Sequence, residues 1–71
     1  MKLEDFRTTV ALLTQKQLAD LSGVSESTIY QIEGGRSFSK LTKGKILHGL
    51  SQQVGRPVQA SEIDEFKDNG Q

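Results

Sequence analysis

The chain contains no cysteine, which excludes disulfides, thiolate metal sites and a cysteine nucleophile. Its longest apolar run is Val10-Ala11-Leu12-Leu13, far short of the roughly 20 residues that a membrane-spanning helix needs. His48 is the single histidine, and no partner stands at a spacing that would join it in a metal or catalytic site. Serine and threonine are plentiful, but no G-x-S-x-G nucleophile turn occurs. The glycines are scattered and form no phosphate-binding loop. No strand-like alternation lasts beyond a few residues, and there is no internal repeat or low-complexity segment. These gaps give no cofactor or metal site, and an enzyme is the least supported class. The opening Met1-Lys2-Leu3-Glu4-Asp5 turns acidic at once and lacks a signal-peptide pattern, so the expected home is a reducing cytoplasm.

The 71 residues, 7.8 kDa in all, amount to one domain at most. Folding hides roughly 60% of the surface of so short a chain, and a total stability of about 4–10 kcal/mol is expected. Net charge is zero, but it is unevenly spread. Up to Arg56 there are eight Lys/Arg against five acids, leaving +3; beyond it Lys67 faces four acids, leaving −3. Arg36, Lys40, Lys43 and Lys45 lie in one acid-free segment. That is a basic patch followed by an acidic tail; charge alone fits a solvated loop equally well.

Apolar spacing at Leu3, Phe6, Val10 and Leu13 predicts one amphipathic helix over the first dozen residues, weakened by β-branched Thr8, Thr9 and Val10. Thr14, with Gln17 three residues on, reads as a capping box opening a second helix. Its buried face is predicted at Leu18, Ala19 and Leu21, and Gly23 closes it. Ser25 caps a third helix running to about Glu33, with Ile29 and Ile32 inward and Gly34-Gly35 after it. Leu41, Ile46, Leu47, Leu50 and Val54 mark a fourth, from about Thr42. Gly44 and Gly49 inside it each cost roughly 1 kcal/mol against alanine, a cost more readily met where a glycine admits another backbone. Gly55-Arg56-Pro57 breaks the chain. A short last helix is predicted, capped by Ser61, with Ile63 and Phe66 inward. The expectation is an all-α, five-helix domain over residues 1–67, with 68–71 as a disordered end.

Helices two and three are each too short to persist alone. Joined by a tight glycine turn, they form a helix-turn-helix unit. Leu18, Ala19, Val24, Ile29 and Ile32 face inward. Ser25, Glu26, Ser27, Tyr30 and Gln31 remain outside, a face without lysine that suits hydrogen bonding to base edges. The pattern Gln15-x-x-Leu18-Ala19-x-x-x-Gly23-Val24-Ser25-x-x-Thr28-Ile29-x-x-Ile32-Glu33-x-Gly35-Arg36 closely resembles the phage repressor/Cro (XRE-type) helix-turn-helix family. The resemblance covers roughly residues 3 to 66. It implies a lambda-repressor-like fold and a sequence-specific transcriptional regulator, with a repressor as the expected kind. It also implies a homodimer on double-stranded DNA carrying a pseudo-palindromic operator.

The resemblance further implies roles by position. Gln15 is similar to the glutamine that opens the second helix and touches a phosphate. Ser25, Glu26, Ser27 and Gln31 fall where relatives contact bases or the adjacent backbone. Glu33 matches the acid that pairs with a first-helix arginine, here Arg7, one position out of register. Gly35-Arg36 matches a loop that meets phosphates. Departures are the missing proline before the fourth helix, replaced by Ser37-Phe38-Ser39, and Glu26 at a position usually neutral or basic.

Charge and chemistry add to this. The expected phosphate contacts are Gln15, Lys16, Tyr30, Arg36, Ser37, Lys40 and Lys43, since phosphate neutralisation supplies much of DNA affinity. Tyr30 suits either a phosphate or the flank of the reading surface. Gln31 can bond adenine in a bidentate way, and Glu26 can accept from a cytosine amine. Val54, Val58 and Phe66 are either core or a dimer surface. The competing class is a protein-interaction module or antitoxin-like adaptor on the same fold, to which net neutrality and Glu26 lend support.

Overall fold

The computed structural model describes residues 1–67; the disordered end expected at 68–71 lies outside them. All regular structure among the described residues is helical. Its core gathers Leu3, Phe6, Leu18, Ile29, Ile32, Ile46, Leu50, Ile63 and Phe66 around one centre.

The first element differs from the expected dozen-residue helix. A single α-turn, α1 (Leu3–Asp5), runs into a π-helical segment over Phe6–Val10. The Ala11 N–H donates to the Phe6 carbonyl at 2.9 Å, five residues back. Two causes are visible in the sequence. Three β-branched residues in succession crowd an α-turn. The Thr8 and Thr9 hydroxyls also donate to the carbonyls of Glu4 (3.0 Å) and Asp5 (2.6 Å), competing with the backbone. A π-turn holds one extra residue, so the buried face steps from Phe6 to Ala11 rather than to Val10. Val10 is accordingly exposed and Leu13 buried.

The helix α2 (Gln15–Ser22) opens with the expected capping box: the Gln17 N–H donates to Thr14 Oγ1 at 3.0 Å, and the Thr14 N–H to Gln17 Oε1 at 2.9 Å. Leu18 and Ala19 are buried, but Leu21 is 39% exposed. The buried face continues instead to Ser22, a full turn beyond Leu18, where it meets Gly49. Gly23 takes the left-handed conformation (φ 76°) that turns the chain.

Ser25 caps α3 (Glu26–Glu33), its Oγ accepting from the Thr28 N–H at 3.0 Å. Ser39 caps α4 (Lys40–Val54), which starts earlier than the apolar pattern indicated. Leu41 sits in that added turn and is 69% exposed. The apolar seam of α4 is Ile46 and Leu50, with Leu47 and Val54 half-buried beside the core.

No regular α-helix follows. Ala60–Glu62 and Asp64–Phe66 are two 3-10 turns with extended Ile63 between them. Gln59 rather than Ser61 caps the first. The three-residue period suits burial of both Ile63 and Phe66, and each is fully buried. Phe38 closes over Phe66 edge to face at 5.2 Å. Arg56 grips Glu62 at 2.9 Å and, with help from the Gln59 N–H, holds that carboxyl below its usual range. Val58 and Phe66 thus belong to the core, and neither is available as a dimer surface.

Candidate nucleic-acid interface

The placement of α3 rests on its two buried isoleucines, Ile29 and Ile32, at 0% and 1% exposure. Because a helix turns 100° per residue, fixing that stripe fixes the opposite one. Ser25, Glu26, Ser27, Tyr30 and Gln31 all face solvent. Within this strip the Gln31 amide donates to Ser27 Oγ at 3.3 Å, leaving its carbonyl oxygen and one N–H outward. Ser25 Oγ is engaged by the Thr28 amide and hydroxyl, so its first role is the cap.

Behind the strip lies a buried ion pair. Arg7 Nε donates to Glu33 Oε2 at 2.7 Å and Nη2 to Glu33 Oε1 at 3.2 Å, while Nη1 donates to the Leu13 carbonyl at 2.9 Å. Both side chains are under a tenth exposed. Arg7 is the first-helix partner expected for Glu33. Gln15 joins this pair: its Nε2 donates to Glu33 Oε1 at 2.9 Å. One amide N–H of Gln15 is therefore committed inward, which leaves the second N–H of that amide uncommitted.

The turn after α3 places Arg36. The Arg36 N–H donates to the Gln31 carbonyl (2.9 Å) and the Gly35 N–H to that of Ile32 (3.0 Å), with Gly35 at φ 93°. This paired closure is the Schellman arrangement. It carries Arg36 back beside α3, where Gln15, Ser27, Tyr30, Gln31 and Arg36 line one open hollow with Glu4 and Glu33.

Other expected contacts fall differently. Lys16 reaches Asp20 at 3.8 Å with both groups about 70% exposed, a pair too weak to hold it. Arg36, Ser37 and Lys40 are exposed. Lys43 is half-buried and its Nζ lies 3.5 Å from the Phe66 carbonyl, so its side chain reaches toward the C-terminal turns. His48 is exposed. No cluster of ligating side chains fit for a metal occurs among the described residues, and no helix there is long and apolar enough to cross a membrane.

The sequence reading missed one feature of this region. Leu12 stands at φ 59°, the one non-glycine residue with positive φ among the described residues. It lines a second, shallower hollow with Thr14, Gln15 and Glu26. The signal was its place just before a capping box, where a chain reversing between two helices calls for a residue tolerant of the left-handed conformation.

A family model described as helix-turn-helix matches residues 11–51, more than half the chain. The matched span takes in α2, α3 and most of α4. The chain belongs to the XRE-type helix-turn-helix family of DNA-binding proteins. No curated protein and no solved structure matches it.

Proposed function

We propose that the protein is a sequence-specific transcriptional regulator of the repressor kind, reading double-stranded DNA with α3 in the major groove. The observation that carries this reading is the strip Ser25 to Gln31: polar, exposed, and held in register by a fully buried opposite face. Glu26, Ser27 and Gln31 are the assigned base readers. The carboxylate of Glu26 accepts from a cytosine amine, and the outward amide of Gln31 suits adenine. Arg36, Lys40, Ser37, Lys16, Tyr30 and the free N–H of Gln15 are assigned to phosphates, which fix register without carrying sequence information. Glu26 also repels phosphate, which disfavours wrongly seated complexes.

So few cations per copy bind DNA weakly, so two copies on a pseudo-palindrome are the working form. The backbone spans 27 × 23 × 19 Å, while half-sites one helical turn apart are about 34 Å centre to centre. Two copies therefore fit side by side without overlap. Bound in this way, the domain represses by occupying its site.

Mobility shifts across a salt series test the assignment. Binding to a selected site is expected to weaken steeply with salt, and Arg36→Ala to lower the log–log slope by about one. Gln31→Ala is expected to cost about 1–3 kcal/mol of discrimination at a single base position. An unchanged preferred sequence in Gln31→Ala would remove the base-reading role. Failure to bind any DNA pool at low salt would favour the protein-interaction module.

A further inference from the structure

Leu12 combines two costs. It is 74% exposed, so its apolar side chain contributes nothing to the core. Its backbone is left-handed at φ 59°, a conformation that sets Cβ against the following carbonyl and that glycine or asparagine adopts more readily. The reversal after the first helical segment, closed by the Leu13 N–H donating to the Arg7 carbonyl at 2.8 Å, calls for a left-handed residue, but folding gives no reason for that residue to be an exposed leucine, and such outliers gather at ligand-contacting positions. Its surroundings point to the ligand. Leu12 shares its hollow with Arg7, Thr8 and Leu13 from the preceding segment, with Thr14 and Gln15 at the start of α2, and with Glu26 at the start of α3. The hollow is thus continuous with the strip assigned to DNA.

Resting on the DNA reading above, we propose that Leu12 is a DNA contact, packing on deoxyribose beside the phosphate assigned to Gln15. The chemistry follows from its neighbours. Gln15 presents a free N–H suited to a phosphate, and in duplex DNA every phosphate is flanked by sugars whose carbons form the apolar part of the backbone surface. A leucine three residues before a phosphate-binding amide meets those carbons. It adds affinity without charge and without reading a base. Glu26, on the far side of the hollow, keeps phosphate itself from filling it.

Leu12→Asn and Leu12→Gly test the proposal because strain and contact move in opposite directions. Both substitutions relieve the left-handed backbone, so thermal denaturation is expected to show Tm raised by about 2–6 °C. Both remove the apolar contact, so affinity for a selected site is expected to fall about three- to tenfold. The salt slope and the preferred sequence are expected to stay those of the wild type, and replacing thymines by uracil in the site is expected to leave the loss unchanged. A more stable variant that binds less tightly, at the same salt slope, is the signature of this contact. Wild-type affinity in both variants would overturn the proposal while leaving the DNA reading intact. So would a loss that disappears on uracil-containing sites, which would place Leu12 against a base methyl. An altered oligomeric state of the free variants would also overturn it, since Leu12 would then face a second copy. A wild-type chain that binds no DNA would overturn the DNA reading and this proposal together.

Discussion

Arg7→Ala is expected to lower stability by about 3–5 kcal/mol, the range for removing one member of a buried ion pair. Against a total of about 4–10 kcal/mol for a chain of this size, that brings the domain close to unfolding at room temperature. The size of the effect comes from what is left behind. Glu33 would keep a buried carboxylate with only the Gln15 amide to answer it, and the Leu13 carbonyl would lose its donor. Arg7→Lys is expected to rescue little, because an ammonium cannot serve both carboxylate oxygens and the Leu13 carbonyl in one planar geometry. Urea denaturation of the two single variants and of a combined Arg7→Met, Glu33→Leu variant checks the point. The double variant is expected to be more stable than either single one, since it leaves no lone buried charge. A loss below about 1 kcal/mol for Arg7→Ala, the figure typical of a surface pair, would contradict the account. The pair ties the first element to the end of α3, so its loss is expected to weaken DNA binding as well.

The second large effect concerns two glycines in one helix. Gly49→Ala is expected to destabilise by about 1–3 kcal/mol, and Gly49→Val by more. A Cβ at position 49 would strike Ser22 Oγ and lie 3.2 Å from the Ser22 Cα and N. Rotating a side chain cannot relieve contact with backbone, so α2 would have to move off α4. Gly44→Ala in the same helix is expected to stabilise by about 1 kcal/mol, because a Cβ there meets nothing within 4 Å. Thermal melts of the two alanine variants are expected to shift in opposite directions. Ser22→Ala is expected to be neutral or slightly stabilising. Its hydroxyl is buried without a hydrogen-bond partner among the described residues, and removing an unsatisfied group costs nothing. Gly49→Ala melting at or above the wild type would mean that the two helices are not in close approach.

These two sites mark how far the sequence could be read. Local chemistry was legible: the Thr14–Gln17 capping box, the Ser25 cap and the turns at Gly23 and Gly34-Gly35 depend on residues within a few positions of one another. So was the existence of a close-approach glycine in α4, though not that it was Gly49 rather than Gly44. Choosing between them requires knowing which face meets α2. The apolar pattern misled where the helix period was not 3.6. Val10 was expected inside, but the π-turn moved that face to Ala11. The last segment buries Ile63 and Phe66 through 3-10 turns, not an α-helix. Leu21 was expected inside because it is apolar, a one-way inference that a small domain with little core often breaks. The Arg7–Glu33 pair was legible only through the family pattern.

Around α3, the exposure of Ser25, Glu26, Ser27, Tyr30 and Gln31 was legible from the buried stripe opposite, whereas the direction of Lys43 was not. Lys43 lies one turn into α4, and only the packing of the C-terminal turns decides that its ammonium points to the Phe66 carbonyl. Leu12 was read as part of an apolar run, and nothing in residue type alone marks it as exposed.

The account depends on α3 presenting Ser25 to Gln31 to the groove. Amide chemical-shift mapping of the labelled protein against a DNA site selected from a random pool tests this most directly. The largest shifts are expected at Ser25 through Gln31, at Gly35 and Arg36, and at Leu12, Thr14 and Gln15, with the C-terminal turn Ala60–Glu62 unmoved. Shifts centred elsewhere while the amides of Ser25 to Gln31 stay still would contradict it.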